Sequence, residues 1–176
     1  TAYEIKECDW SSDVCSSDLF SELTAAVTKA EKAGGGIVYV KGSSISCTAQ
    51  LALKASNANV SIIGVKNSDG TYPVLDFSAF RSAYIGKATT DSEVGIRISG
   101  SKYTIKNLII QKAPDNGIQI TGSSAGNNTI ENCIVRYNND AGVQITGGAY
   151  SNTMRFVYSY RNCDVYTLGG NADGFA

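Results

Sequence analysis

The sequence predicts an all-β solenoid: a right-handed parallel β-helix with an α-helix capping its N-terminal end. Three observations carry this. A short alternating strand opening on glycine recurs at Gly95-Ile96-Arg97-Ile98, Gly117-Ile118-Gln119-Ile120 and Gly142-Val143-Gln144-Ile145, and Gly174-Phe175 opens a fourth copy. The glycines lie 22, 25 and 32 residues apart, and a period of this size with one strand per copy marks a solenoid. Each copy also holds a second strand: Tyr103–Ile110 corresponds to Asn128–Val135 and, less closely, to Asn152–Ser159. Finally, neither a leucine-rich repeat pattern nor a helical 3.6-residue period is present after residue 36, which excludes the common alternative solenoids.

The elements follow in order. Residues 1–17 read as an irregular segment. Within it and just beyond, Trp10 to Leu19 carries Ser-Ser-Asp twice with neither strand nor helix periodicity. That run resembles translated linker sequence more than protein sequence, a genuine loop being the other reading. From Asp18 to Ala33, Leu19, Phe20, Leu23, Ala26, Val27 and Ala30 recur at three- and four-residue steps, ending in Gly34-Gly35-Gly36. This spacing predicts an amphipathic helix over the first coil, within a capping unit of residues 18–36. The β-helix is expected to occupy residues 37–176, from Ile37-Val38-Tyr39-Val40 through strands near Gln50–Leu53, Val60–Gly64 and Val74–Phe77.

Stacking the repeats places Ile96, Ile98, Ile118, Ile120, Val143 and Ile145 in interior columns. Ile105, Ile130 and Met154 form another column, and Leu108, Cys133 and Val157 a third, with Cys133 as a small buried hydrophobe. Asn107 over Asn132 predicts a short amide ladder, which Phe156 interrupts in the next coil.

The formal charge of −1 and the absence of a basic block predict no nucleic-acid partner. With no histidine, a Ser-His-Asp or Cys-His mechanism within this chain is excluded. No apolar run approaches the roughly 18 residues of a membrane span, so no membrane partner is expected. Five cysteines without a CxxC pair leave disulfide pairing open.

The last repeat carries an insertion, Cys163 to Asp173, that the others lack, and solenoids often place insertions on a binding face. Asp164 and Asp173 flank it and could face a cation or a sugar. Acids and amides also precede the other strand-opening glycines, as in Asp115-Asn116-Gly117 and Asp140-Ala141-Gly142, so on repeat position alone Asp173 reads as a turn residue.

Asn162-Cys163-Asp164, the insertion, and then Asn171-Ala172-Asp173-Gly174-Phe175-Ala176 resemble the signature of the family 9 polysaccharide lyases. These are pectate lyases built on a right-handed parallel β-helix. Ala113–Ile120 and Asn127–Cys133 also resemble that family's early coils. The resemblance implies that Asp173 is a ligand of a catalytic Ca²⁺. It implies a lyase that opens polygalacturonate, an acidic plant polysaccharide, by β-elimination. The carboxylate-activated C5 proton is removed by a base while Ca²⁺ neutralises the developing charge. Calcium takes six to eight hard oxygen ligands, so one aspartate is part of a site. The family's remaining acidic ligands and its lysine base come from later segments that this sequence does not contain. The expectation is therefore an N-terminal fragment of a secreted, monomeric pectate lyase, inactive alone. Rival readings are a non-catalytic carbohydrate-binding or surface β-helix and a polygalacturonase-type hydrolase. The hydrolase needs two carboxylates about one bond, and only Asp164 and Asp173 qualify.

Overall fold

The computed structural model describes residues 1–5, 19–85, 87, 93–163 and 173–176. Three parallel sheets run along a common axis. Sheet A contains β1 (Ala2–Ile5), β2 (Gly36–Val40), β5 (Val60–Gly64), β8 (Tyr103–Lys106), β11 (Thr129–Glu131) and β14 (Thr153–Arg155), stacked in that order. Sheet B contains β3 (Ser44–Ser46), β6 (Val74–Asp76), β9 (Ile109–Gln111), β12 (Ile134–Arg136) and β15 (Tyr158–Tyr160). Sheet C contains β4 (Leu51–Leu53), β7 (Ile96–Ile98), β10 (Ile118–Thr121) and β13 (Val143–Thr146). From β2 onward the chain visits A, B and C in turn, so each coil adds one strand to each sheet.

The interior columns align as the repeat demands. Ile118 pairs with Ile96 and Val143, and Ile120 with Ile98 and Ile145. Ile130 lies between Ile105 and Met154. Ile96, Ile98, Ile105, Ile118, Ile120 and Ile130 are fully buried. Leu108 and Cys133 are buried as well, and burial pushes the Cys133 thiol up to about 11, so it stays protonated and unreactive.

The helix α1 (Leu19–Lys32) lies across the first coils and buries Phe20, Leu23, Val27 and Ala30. Phe20 packs edge-on against Phe77, with ring centroids 6.5 Å apart. The helix stops where Gly34 takes a φ of +77°, with Gly35 N donating to Ala30 O and Gly34 N to Glu31 O. This paired closure suits glycine, which has no Cβ to oppose the left-handed conformation. The Tyr103 hydroxyl ties the cap to the third coil: it donates to Glu31 Oε1 at 2.5 Å and accepts from Ala55 N at 2.8 Å.

Three expectations change. Ala2–Ile5, in the stretch expected to be irregular, forms β1 and pairs in parallel with β2 ahead of Ile37. A four-residue edge strand with no flanking turn signal leaves little periodicity to read. The expected second strand of each repeat is two strands, one in sheet A and one in sheet B. Asn107, Asn132 and Phe156 break it with φ of 59°, 50° and 54°. A short helix, α2 (Ser78–Ser82), follows β6. Trp10, Cys15 and the rest of the linker-like run up to Asp18 lie outside the described residues.

The Asn107–Asn132 ladder is present, with Asn132 Nδ2 donating to Asn107 Oδ1 at 2.8 Å. Phe156 ends it, 72% exposed in a left-handed conformation that costs a side-chain-bearing residue roughly 1 kcal/mol. Asparagine tolerates that conformation and can reach Asn132. Phe156→Asn is therefore expected to stabilise the chain by roughly 0.5–1 kcal/mol, read as a small rise in Tm. A fall in Tm would show that the phenyl ring packs more than its exposure indicates.

Two further ladders are buried. Asn152 Oδ1 accepts from Asn128 N and Nδ2, and Asn128 Oδ1 accepts from Tyr103 N. Asn162 Oδ1 accepts from Asn138 N and Nδ2, and Asn138 Oδ1 accepts from Ala113 N. The second of these fills the corner between sheets B and C, where Asn138 and Asn162 leave no room for a side chain at Gly117 and Gly142. A Cβ on Gly117 would stand 2.4 Å from Val135 Cγ1, 2.5 Å from Asn138 Nδ2 and 2.8 Å from Gly142 O. Gly117→Ala should therefore cost about 3 kcal/mol through overpacking, lowering the urea midpoint. A midpoint within error of the parent would mean that the coils can separate there freely.

Candidate functional site

The sequence-derived candidate, Asp173, lies at the corner leading from sheet B to sheet C in the outermost described coil. Its backbone is fixed. Gly142 N donates to Asp173 O at 3.0 Å, and Val143 N to Gly174 O at 3.1 Å. Phe175 bridges Val143 in parallel, and Ala176 N donates back to Val143 O at 2.9 Å. Ser159 Oγ clamps the turn through Gly174 O at 2.6 Å. The Asp173 side chain is exposed. A rigid main chain thus presents an accessible carboxylate. Asp164 lies outside the described residues.

The register distinguishes Asp173 from the neighbouring acids. Extending the ladder back from Ile118↔Val143 and Val143↔Phe175 puts Ala141 and Asn116 beneath it. Asp115 and Asp140 fall one position earlier, so the acids that precede the other glycines are not its equivalents. Asn116 and Ala141 are buried, whereas Asp173 is exposed. An acid in this column thus occurs only at Asp173 among the described corners before β10, β13 and Phe175.

Beside this column runs a polar strip that sequence reasoning did not single out. The middle residues of β7, β10 and β13, which are Arg97, Gln119 and Gln144, are in register between the inward-facing isoleucines and valine. Gln119 Nε2 donates to Gln144 Oε1 at 2.8 Å. Asn116 Nδ2 donates to Asp115 Oδ1 at 2.8 Å. The signal was available in the alternation of each strand, since the residue between two buried positions must face outward.

The donor chemistry of Asp173 fits a calcium ligand: a hard anionic oxygen on a turn whose Asp173 and Gly174 carbonyls already accept hydrogen bonds. It is one ligand. Among the described residues, no three Asp, Glu, His or Cys side chains group so as to hold a metal ion. Cys47 and Cys133 are buried, and Cys163 is exposed.

The three stacked parallel sheets define a parallel β-helix. The family model described as "Pel9A-like, right handed beta helix region" matches residues 7–176, and the chain belongs to that family. It is 33% identical over 104 residues to pectate lyase L of Paenibacillus polymyxa (strain SC2), a match covering 58% of this chain and 21% of that protein. The chain spans about a fifth of that relative's length. The crystal structure of pectate lyase Pel9A superposes with a TM-score of 0.71 at 24% identity, over 99% of this chain and 43% of that one. At that identity the superposition speaks for the fold.

Proposed function

We propose that this chain forms the capped, early-coil part of a secreted pectate lyase that cleaves polygalacturonate by calcium-dependent β-elimination. The observation that carries the reading is Asp173: an accessible carboxylate on a fixed corner, at the end of Asn171-Ala172-Asp173-Gly174-Phe175-Ala176, in a chain of the Pel9A-like family. The substrate class is supported by the relative named as a pectate lyase.

Each residue's part follows from its position. Asp173 would supply one carboxylate oxygen to Ca²⁺. Ser159, Gly142 and Val143 hold the turn so that its main chain need not reorganise on binding. A Ca²⁺ held with the help of Asp173 would supply Lewis-acid stabilisation of the charge that develops when the C5 proton is removed. The described residues hold no cluster of acids able to complete the ion's shell, so residues 1–176 are proposed to be inactive without further coils.

The test is a pair of assays on polygalacturonate, with the 176-residue chain and with the full-length protein, following absorbance of the 4,5-unsaturated product. The full-length protein should release product in calcium and stop in EDTA; the 176-residue chain should release none. Reducing ends without unsaturated product would point to hydrolysis and overturn the elimination reading.

A further inference from the structure

The outer face of sheet B carries a cluster that Asp173 does not explain. Asp76, Gln111, Arg136 and Tyr160 are in register across four coils. They are joined side chain to side chain. Gln111 Nε2 donates to Asp76 Oδ2 at 2.7 Å, Arg136 Nε to Gln111 Oε1 at 2.9 Å, and Arg136 Nη1 to the Tyr160 hydroxyl at 3.1 Å. At the adjoining corner Lys112, Tyr137 and Arg161 have φ of 60°, 58° and 54°, so each side chain springs from a turned backbone. The Arg136 and Arg161 guanidinium groups lie 5.4 and 5.7 Å from the centroid of the Tyr137 ring. Arg161 Nη1 also donates to the Tyr137 hydroxyl at 2.8 Å, and Tyr160 meets Tyr137 edge-on at 6.2 Å.

The charges in this cluster do not cancel. Lys112 is paired with Asp76 at 3.0 Å. Burial works against ionisation of Asp76, but hydrogen bonds from Ser78, Gln111 and Lys112 outweigh it and hold the carboxyl at about 2. That pair is neutral together. The partners of Arg136 and Arg161 are an amide, phenols and aromatic rings, none of them anionic. Among the described residues, two fixed cations therefore stand on one face, one coil apart, with no carboxylate against them. Tyr158 and Tyr160, 66% and 38% exposed, border them with aromatic surface.

Guanidinium groups held in place are suited to carboxylates, which they can meet with two parallel hydrogen bonds. Exposed phenol rings offer a flat, partly apolar surface with a polar edge, which suits the mixed faces of a sugar ring. We propose that Arg136 and Arg161, braced by Tyr137 and Tyr160, form an accessory site that binds the carboxylates of an acidic polysaccharide without calcium. The polymer class rests on the lyase reading above. A nucleic acid fits less well, since the chain lacks an extended basic tract and carries a net charge of −1.

The experiment measures binding of the full-length protein to polygalacturonate in EDTA, by affinity electrophoresis or titration calorimetry. Fully methyl-esterified polymer, heparin and single-stranded DNA serve as comparison ligands. R136Q/R161Q should weaken polygalacturonate binding at least tenfold, and the esterified polymer should not bind. R161Q alone, at an exposed position, should give part of the loss with an unaltered Tm. Binding that needs calcium and follows Asp173 but not the arginines would overturn the accessory site while leaving the lyase reading intact. A protein that neither binds nor cleaves the polymer in calcium would sink the lyase reading itself, and this site with it. Equal, arginine-dependent binding of heparin and DNA would also overturn it, reducing the cluster to a general polyanion patch.

Discussion

Asp173→Ala in the full-length protein is expected to lower lyase turnover of polygalacturonate by about 100-fold or more, equivalent to roughly 2.7 kcal/mol of lost transition-state stabilisation. The physical reason is the removal of one hard anionic ligand from an ion that depends on several. The fold should be untouched. What holds the turn is main chain, from Gly142, Val143 and Ala176, together with the Ser159 hydroxyl, and none of these contacts uses the aspartate side chain. Excess calcium should recover part of the rate if affinity is what was lost. The register supplies the control: Asp140→Ala, one position away from the column of Asp173, should leave turnover much less affected. Equal losses for both variants, or a Tm drop that accounts for the Asp173 loss, would reduce the motif to a structural turn.

Asn138→Leu is expected to be the most damaging single change to stability, at about 4 kcal/mol, or roughly 10 °C in Tm. Asn138 is 1% exposed. Its amide accepts from Ala113 N at 2.9 Å and donates to Asn162 Oδ1 at 2.9 Å, so it serves the coil on either side. Leucine keeps the branching at Cγ but is bulkier, strands a buried N–H in one coil and weakens the satisfaction of an amide oxygen in the other. Each unmade bond of this kind costs about 1–3 kcal/mol. Asn152→Leu, at a less buried ladder position, should cost clearly less. If the two variants melt together, burial of the ladder is not what makes it matter.

The interior was legible in the sequence because it repeats. Ile96, Ile118 and Val143 share a position relative to a glycine, and any stacking that honours that glycine aligns them. Asn107 and Asn132 were legible for the same reason. The buried ladders of Asn128 with Asn152 and of Asn138 with Asn162 were not. Asparagine before a turn has an ordinary local explanation, and nothing in a single chain says whether its amide faces water or the next coil. The corner conformations at Tyr137, Phe156 and Arg161 were hidden because their residue types do not favour positive φ; their neighbours impose it. Asp173 came to notice through the motif around it, and its register against Ala141 emerged only in three dimensions. The arginine–tyrosine cluster joins residues 24 or 25 positions apart, a separation that matters only once the coils are stacked.

The left-handed corners of the last three coils fall at residues 102, 107 and 112, then 127, 132 and 137, then 151, 156 and 161. Two five-residue steps therefore span each passage through sheets A and B, with one strand and one bend apiece and no slack between them. An insertion or deletion of a single residue inside such a step would turn an inward side chain outward. The remaining leg, from the third bend to the next first bend, is 15 residues in one coil and 14 in the following one, so it has already changed length without disturbing the rest. In those coils the protein is a ruler on two sides and a free margin on the third. The free margin is also where Asp173 and the insertion before it are found, so the part of the coil able to vary in length is the part that carries the candidate chemistry.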